Sequence, residues 1–234
     1  MSGIKMWTKA DGTRSVPATL FEFFDPHEDF QIRKGKLPHW YQPGVTYFIT
    51  FRTADSVPQD LLRTWHARRD DWLRRHGIDP ALRHWKLRLA RDRGLEHEFH
   101  TTFTREFMEY LDRGYGACTL RESSWATIVT NSLRSFDGQR YHLGDFVVMP
   151  NHVHLLARLL GSTDIEQQCR SWKTFTAREI NRGLARAGRF WQEESFDHLV
   201  RGPEQCEGFQ RYIADNPRKA GLRPGEYVYC PRRT

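Results

Sequence analysis

The stretch from Tyr141 to Leu159 constrains the fold more than any other part of this 234-residue sequence. Its first part, YHLGDFVVM up to Met149, and its second part, HVHLLARL from His152, are rich in the apolar and β-branched residues that are typical of strands. Pro150–Asn151 separates them, because proline cannot donate a hydrogen bond to a sheet and asparagine tolerates turn geometry. The stretch therefore predicts a β-hairpin whose second strand begins with a pair of histidines.

The elements around this hairpin predict the fold class. A strand is predicted over Gly44–Thr53, followed by helices. After the hairpin we expect a helix that begins at a capping box in Thr163–Glu166 and reaches about Ala187, and then a strand within Phe190–Arg201. Two strand–helix–strand units joined through a central hairpin predict an α+β fold, with a ferredoxin-like antiparallel sheet and helices on one face.

Composition limits the class of protein. Apolar residues make up 38% of the chain, which is enough for a core and excludes a disordered protein. No apolar run approaches the roughly 20 residues of a membrane span, and the first residues lack an apolar signal core, so a cytoplasmic protein is expected. The net charge of +7 favours a polyanionic partner such as nucleic acid.

The histidine pair is the first candidate site. Because side chains alternate along a strand, His152 and His154 lie on one face and Val153 lies on the other, with the two histidine Cα atoms roughly 6.5 Å apart. Imidazole is a competent ligand for a divalent cation, and two ligands leave positions open for a substrate. A short His-x-His pattern alone also fits one packed and one solvated imidazole, so both interpretations stay open at this point.

A series of motifs around the pair resembles a known family. The segment MPNHVHLL, Met149–Leu156, is similar to the signature of the HUH-type single-strand DNA transposases, in particular the tyrosine transposases associated with repetitive extragenic palindromes (REP). The resemblance covers roughly residues 45–53 and 106–222. Its further motifs are SWKTFTAR from Ser171, FWQ from Phe190, FDH from Phe196, Arg201, and YIADNPRKAGL from Tyr212.

This resemblance implies a function and a set of site residues. It implies cleavage and rejoining of single-stranded DNA through a 5′-phosphotyrosine, with Tyr212 as the nucleophile. It also implies a Mg²⁺ or Mn²⁺ ion on His152 and His154, with Asn216 at the position of a third ligand. The implied partner is single-stranded DNA that contains a hairpin, and the protein would be a monomer or a homodimer.

The helix that carries the tyrosine agrees with these roles. A helix is predicted over Pro203–Asp215, and Tyr212 and Asn216 lie one turn apart on one face. Pro217 disfavours helical geometry at the residue before it, so the helix is predicted to end at Asn216–Pro217. Tyr212 would then lie in the last turn, where its side chain is readily exposed.

Basic side chains form the predicted DNA contacts. Arg170, Lys173, Arg178 and Arg182 lie on the helix after the hairpin, where a solvated face explains the charge equally well. Arg218 and Lys219 follow the tyrosine and are better placed beside a scissile phosphate.

The sequence predicts one catalytic domain with additions. The domain spans residues 44–222, including a helical insertion at 76–119 to which no role is assigned, after an irregular extension at 1–43 and before a tail at 223–234. Two other functions remain open: a non-catalytic DNA-binding protein on the same fold, and a metal-dependent phosphodiesterase that uses water and leaves Tyr212 structural.

Overall fold

The computed structural model describes residues 21–25, 27–28, 31–33, 39–82, 85–193 and 195–232. The strands are β1 (Gln31–Arg33), β2 (His39–Tyr41), β3 (Thr46–Arg52), β4 (Tyr141–Val148), β5 (His152–Leu159), β6 (Phe196–Leu199) and β7 (Val228–Cys230). The α-helices are α1 (Gln59–Arg75), α2 (Trp85–Ala90), α3 (Arg93–Phe99), α4 (Arg105–Asp112), α5 (Ser123–Arg134), α6 (Ile165–Gly183) and α7 (Pro203–Lys219). A π-helical turn, His100–Thr104, joins α3 to α4.

Five strands form an antiparallel sheet in the order β6-β3-β5-β4-β7. The first four strands of that order are the arrangement of a ferredoxin-like fold, in which β4 and β5 form the hairpin, so the predicted fold class is confirmed. The fifth strand, β7, pairs with β4 and comes from the C-terminal segment. The prediction of a tail at 223–234 is therefore wrong for Val228–Cys230, which adds a strand to the sheet edge.

Different helices pack on the two faces of the sheet. On one face, Tyr47, Ile49 and Val153 pack against the buried residues of α5 and α6. On the other face, Phe48 packs with Ile213 of α7. Alternation along each strand produces both faces, as predicted. Helices therefore cover both faces: α5 and α6 of the ferredoxin-like core lie on one face, as predicted, and the added tyrosine helix α7 lies on the other.

The predicted helical insertion at 76–119 is confirmed as helical and has a small core of its own. Trp85, Phe99 and Phe103 bury their rings together with Leu73 of α1. Because this core is formed between α1, α2, α3 and the π-helical turn, the insertion is a packed layer rather than a loop.

Three local predictions are wrong. The N-cap of α6 is Asp164 rather than Thr163, because the Asp164 carboxylate accepts from the backbone N–H of Gln167 at 2.8 Å. The same helix ends at Gly183, before Ala187. Within the described part of the N-terminal extension, predicted as irregular, the strands β1 and β2 pair with each other, while residues 1–20 lie outside the described residues.

The predicted end of the tyrosine helix is also wrong. Helix α7 continues through Asn216 and Pro217 to Lys219. Ile213, Asn216 and Pro217 are all buried, so packing on the sheet outweighs the local cost of a proline near the helix end. Tyr212 consequently lies inside the helix, not in its last turn. Among the described helices, none has the length and apolar composition required to span a bilayer.

Candidate active site

The two histidines lie at the start of β5, on the face of the sheet that α7 covers. Both side chains are fully buried, and their ring centroids are 4.6 Å apart. The antiparallel register places His154 opposite Thr50 and His152 opposite Arg52 of β3. The strand alternation predicted from the sequence thus brings both imidazoles together.

Hydrogen bonds fix the tautomer of His152. The side-chain amide nitrogen of Asn151 donates to the carbonyl oxygens of Leu111 at 3.3 Å and Tyr115 at 3.0 Å. Its amide oxygen therefore faces the other way and lies 2.7 Å from Nδ1 of His152. Since that oxygen can only accept, Nδ1 carries the proton and Nε2 has a free lone pair.

His154 is held in a comparable way. Its Nδ1 lies 2.7 Å from Oγ1 of Thr50, and its Nε2 lies 3.4 Å from the hydroxyl oxygen of Tyr212. In the tautomer in which Nδ1–H donates to Thr50, Nε2 accepts from the tyrosine hydroxyl. Hydrogen bonds of this kind at the far ring nitrogen orient histidines that bind metals.

Asp112, the last residue of α4, completes a cluster that the sequence did not reveal. Its Oδ1 lies 3.7 Å from Nε2 of His152, and one potential ligand atom from each of Asp112, His152 and His154 lies within 4.8 Å of the others. Neither Oδ1 of Asp112 nor Nε2 of His152 makes a hydrogen bond within the described part of the chain, although both atoms are buried. Two buried acceptors that face each other without a donor are a suitable environment for a cation.

Asn216 borders the same cluster. Its side chain is completely buried, and neither amide atom makes a hydrogen bond of good geometry to a described residue. It lies close enough to lower the pKa of both Asp112 and Tyr212. Its amide oxygen is a hard donor that suits Mg²⁺ or Mn²⁺, so the residues present fit a hard divalent ion.

Burial controls the charges of the cluster. It lowers the pKa of His152 to about 3 and holds the pKa of His154 well below its usual value, and the neighbouring His152 adds to the effect on His154. Burial also raises the pKa of Asp112 to about 6, while Asn216 and Lys219 act in the opposite direction. At neutral pH two uncharged imidazoles and one carboxylate therefore face one another, which is the ionisation state that metal ligands require.

Tyr212 lies beside the histidines, as predicted. Its ring is edge-on to His154, with centroids 5.1 Å apart, and the side chain is partly buried against Phe48. Burial raises the pKa of its phenol well above the usual value, and the Asp112 carboxylate adds to the rise. Nζ of Lys219 lies 5.6 Å from the centroid of the same ring. The phenol is thus protonated in this state of the site, with one positive charge nearby.

The basic residues predicted to contact DNA divide into two groups. Arg170, Lys173, Arg178 and Arg182 lie on α6, across the sheet from the histidines. Nζ of Lys173 donates to the carbonyl oxygens of Gln192 and Glu193, at 3.3 and 2.6 Å. The structure does not bring this group to the candidate site.

The second group, Arg218 and Lys219, lies on the same side of the sheet as the histidines. Lys219 is beside the tyrosine ring, and Arg218 is one residue away with a largely exposed side chain, 3.5 Å from Asp215. These two side chains remain the predicted contacts of a phosphate at Tyr212.

Two residues of the site were missed by sequence reasoning. Asn151 was interpreted only as a turn residue, although its place next to a histidine pair is a signal for a hydrogen-bonding partner. Asp112 ends a helix in the insertion, 40 residues before His152 in the sequence. No local spacing connects it to the two histidines.

Comparisons with known proteins agree with the motifs. Residues 123–216 match the family model described as transposase IS200-like. No curated protein matches. A solved structure described as the REP-associated tyrosine transposase bound to a REP hairpin is similar, with 16% identity, a TM-score of 0.41, and coverage of 79% of this chain and 73% of that chain. This structural similarity is too weak to support an inference about function.

The matched segment contains most of the candidate site. It begins at α5 and includes the hairpin with both histidines, Tyr212 and, as its last residue, Asn216. Asp112 lies outside it. The similarity to IS200-like transposases that the sequence motifs implied is therefore confirmed for residues 123–216.

Proposed function

We propose that this protein cuts and rejoins single-stranded DNA, with Tyr212 as the nucleophile. The observation that carries the proposal is the 3.4 Å distance between the Tyr212 hydroxyl oxygen and Nε2 of His154, next to the buried cluster of Asp112 and His152. A phenol at the edge of a potential metal site suits attack on a phosphodiester better than it suits binding alone.

The residues divide the chemistry among them. His152, His154 and Asp112, with the amide oxygen of Asn216, would hold a Mg²⁺ or Mn²⁺ ion. When bound, such an ion polarises the scissile phosphate and offsets the negative charge that develops on it. Asn151 and Thr50 keep the histidine rings oriented, so that the lone pairs of the two Nε2 atoms point into the cluster.

Tyr212 supplies the new bond. Its oxygen attacks the phosphorus in line, the bond from phosphorus to the 3′ oxygen breaks, and the phenol proton is released while the departing 3′ oxygen gains one. The products are a 5′-phosphotyrosine and a free 3′ hydroxyl, and a 3′ hydroxyl can reverse the step without ATP. Lys219 places a positive charge at the ring, which favours the developing phenolate and the approaching phosphate.

Detection of a covalent adduct tests the proposal. The DNA is a pool of single-stranded hairpins with randomised flanks, labelled at the 3′ end, because a 5′-phosphotyrosine retains the 3′ fragment. With Mn²⁺ we expect a labelled band at protein mass on denaturing gels, and none with EDTA. Tyr212→Phe should reduce the adduct about 10³-fold or more, because it removes the nucleophile.

The control is Tyr227→Phe, since Tyr227 is partly buried in the same apolar cluster and should form the adduct normally. An adduct formed by Tyr212→Phe would show that another residue is the nucleophile. Cleavage without an adduct would favour the phosphodiesterase that uses water, and binding without cleavage would favour the non-catalytic DNA-binding protein.

A further inference from the structure

A large cavity opens beside Tyr212, and the proposed cleavage chemistry does not use it. Its volume is about 780 Å³, which is within the usual range for small-ligand pockets. One wall comes from the insertion, through Arg93, His100 and Met108, and the other comes from β6 and α7, through His198 and Phe209. The insertion therefore shapes the space next to the tyrosine.

Aromatic rings lead from the histidine pair to this cavity. Phe48 stacks on His154, with centroids 5.6 Å apart and planes 17° apart. Phe209 stacks on Phe48 at 4.3 Å and 5°, and Phe209 lines the cavity. Tyr212 lies edge-on to Phe48, with centroids 5.9 Å apart. Aromatic faces of this kind stack on unpaired nucleobases, at roughly 1–3 kcal/mol per base.

A hydrogen-bonded network fixes the polar wall of the cavity. The Arg201 guanidinium donates two hydrogen bonds to the Glu96 carboxylate, at 3.0 and 2.8 Å, and so connects the insertion to the segment after β6. The side-chain oxygen of Gln205 accepts from the backbone N–H of Arg201 at 2.8 Å. Its amide nitrogen is thus directed to Nε2 of His198, at 3.0 Å. The wall is formed before any ligand arrives.

We propose that this cavity binds one unpaired nucleobase of the DNA strand whose phosphate lies at Tyr212. The inference rests on the proposed function, because it takes DNA as the substrate. Phe48, Phe196, Phe209 and Met108 give the cavity a largely aromatic and apolar lining, which fits a base better than a phosphate. A base in a duplex would first have to leave its stack, so the cavity favours single strands.

Gly208 allows a side chain to be added inside the cavity without a clash at its Cβ. This residue lies on α7 and lines the cavity, and a Cβ built on it has no atom within 4 Å. Gly208→Trp should therefore place a large ring in the part of the cavity beside α7 and obstruct a base there, Gly208→Leu should obstruct it less, and Gly208→Ala is the matched control. Equal thermal unfolding midpoints would establish that the variants are folded.

The test measures binding without cleavage, in EDTA, by fluorescence anisotropy. The probes are a thymidine oligonucleotide of about 12 nucleotides and an abasic oligonucleotide of the same length and charge. The wild type and Gly208→Ala should each bind the thymidine probe about tenfold more tightly than the abasic probe, which corresponds to a difference of about 1.4 kcal/mol in binding free energy. Gly208→Trp should bind the two probes within about twofold, and Gly208→Leu should fall between.

Two results would overturn the inference: equal binding of both probes by the wild type, or a base preference that persists in both Gly208→Trp and Gly208→Leu. Neither depends on covalent chemistry. If the adduct experiment fails while the base preference follows the cavity, the nucleophile assignment is wrong and the base site stands.

Discussion

The hairpin and the insertion contribute to the same candidate site in opposite ways. In the hairpin, His152 and His154 reach the site because strand alternation puts them on one face. In the insertion, Asp112 reaches it only because the packing of Met108 and Leu111 of α4 with Val57 carries the end of that helix to the histidines. A residue placed by local geometry is visible in the sequence, whereas a residue placed by tertiary packing is not.

The hairpin half of the comparison predicts the largest effect on metal binding. His152→Gln removes an imidazole whose lone pair faces the cluster, so we expect Mn²⁺ affinity to fall more than about 100-fold, beyond the loss typical of residues that only support ligands. Titration calorimetry measures the affinity. His142→Gln, on the other strand of the hairpin, is the control and should bind as the wild type does. Equal affinity in His152→Gln and wild type would remove His152 from the ligand set.

For the insertion, we expect a smaller loss of Mn²⁺ affinity than for His152→Gln. Asp112→Asn keeps the shape of the side chain and removes its charge, so Mn²⁺ affinity should fall about 10–100-fold in the same titration. Glu109→Gln is the matched control, because Glu109 is an exposed carboxylate on the same helix. If the two variants bind Mn²⁺ equally well, the insertion supplies no ligand and the site belongs to the hairpin and α7 alone.

The same contrast explains how far the sequence could predict the fold. The hairpin boundaries, the shared face of His152 and His154, and the ferredoxin-like strand order follow from period-two patterns and short connections, which are local. Strand β7 did not follow, because Val228–Cys230 is short and becomes a strand only through pairing with β4. The end of α7 was predicted wrongly because the burial of Asn216 and Pro217 outweighs the local preference of the pair.

The candidate site was predictable to the same extent. Tyr212, His154 and Asn216 are close together as the motif spacing and the resemblance implied. The basic residues of α6 were predicted as DNA contacts from their place on the helix after the hairpin, which does not determine the side of the sheet that the helix occupies. Arg178 and Arg182 instead both pair with Glu179 of their own helix.

Asn151 joins the two halves, and its substitution separates their contributions. Asn151→Asp keeps an oxygen for Nδ1–H of His152 but loses the amide donors to the Leu111 and Tyr115 carbonyls. Unfolding in urea should therefore show a loss of about 1–3 kcal/mol, while Mn²⁺ affinity changes by less than about tenfold. Asn131→Asp, at an exposed position of α5, is the control for the added charge. A large loss of affinity without a loss of stability would mean that these bonds serve the metal site rather than the docking of the insertion.

His198 tests the boundary between the insertion and the sheet through the pH dependence of stability. Burial lowers its pKa from 6.5 to about 4, and the His100 and Arg201 side chains act in the same direction while Glu96 and Asp197 oppose them. Between these values the unfolded chain binds a proton that the folded chain does not, so this residue's contribution to stability is lost as the pH falls from about 6.5 to 4. Between pH 7 and pH 4, the free energy of unfolding of the wild type should fall by about 2–3 kcal/mol more than that of His198→Gln. Urea unfolding at each pH measures this difference. An equal loss in the two proteins would mean that His198 is protonated as readily in the folded chain as in the unfolded one, and that the boundary opens to solvent before the sheet unfolds.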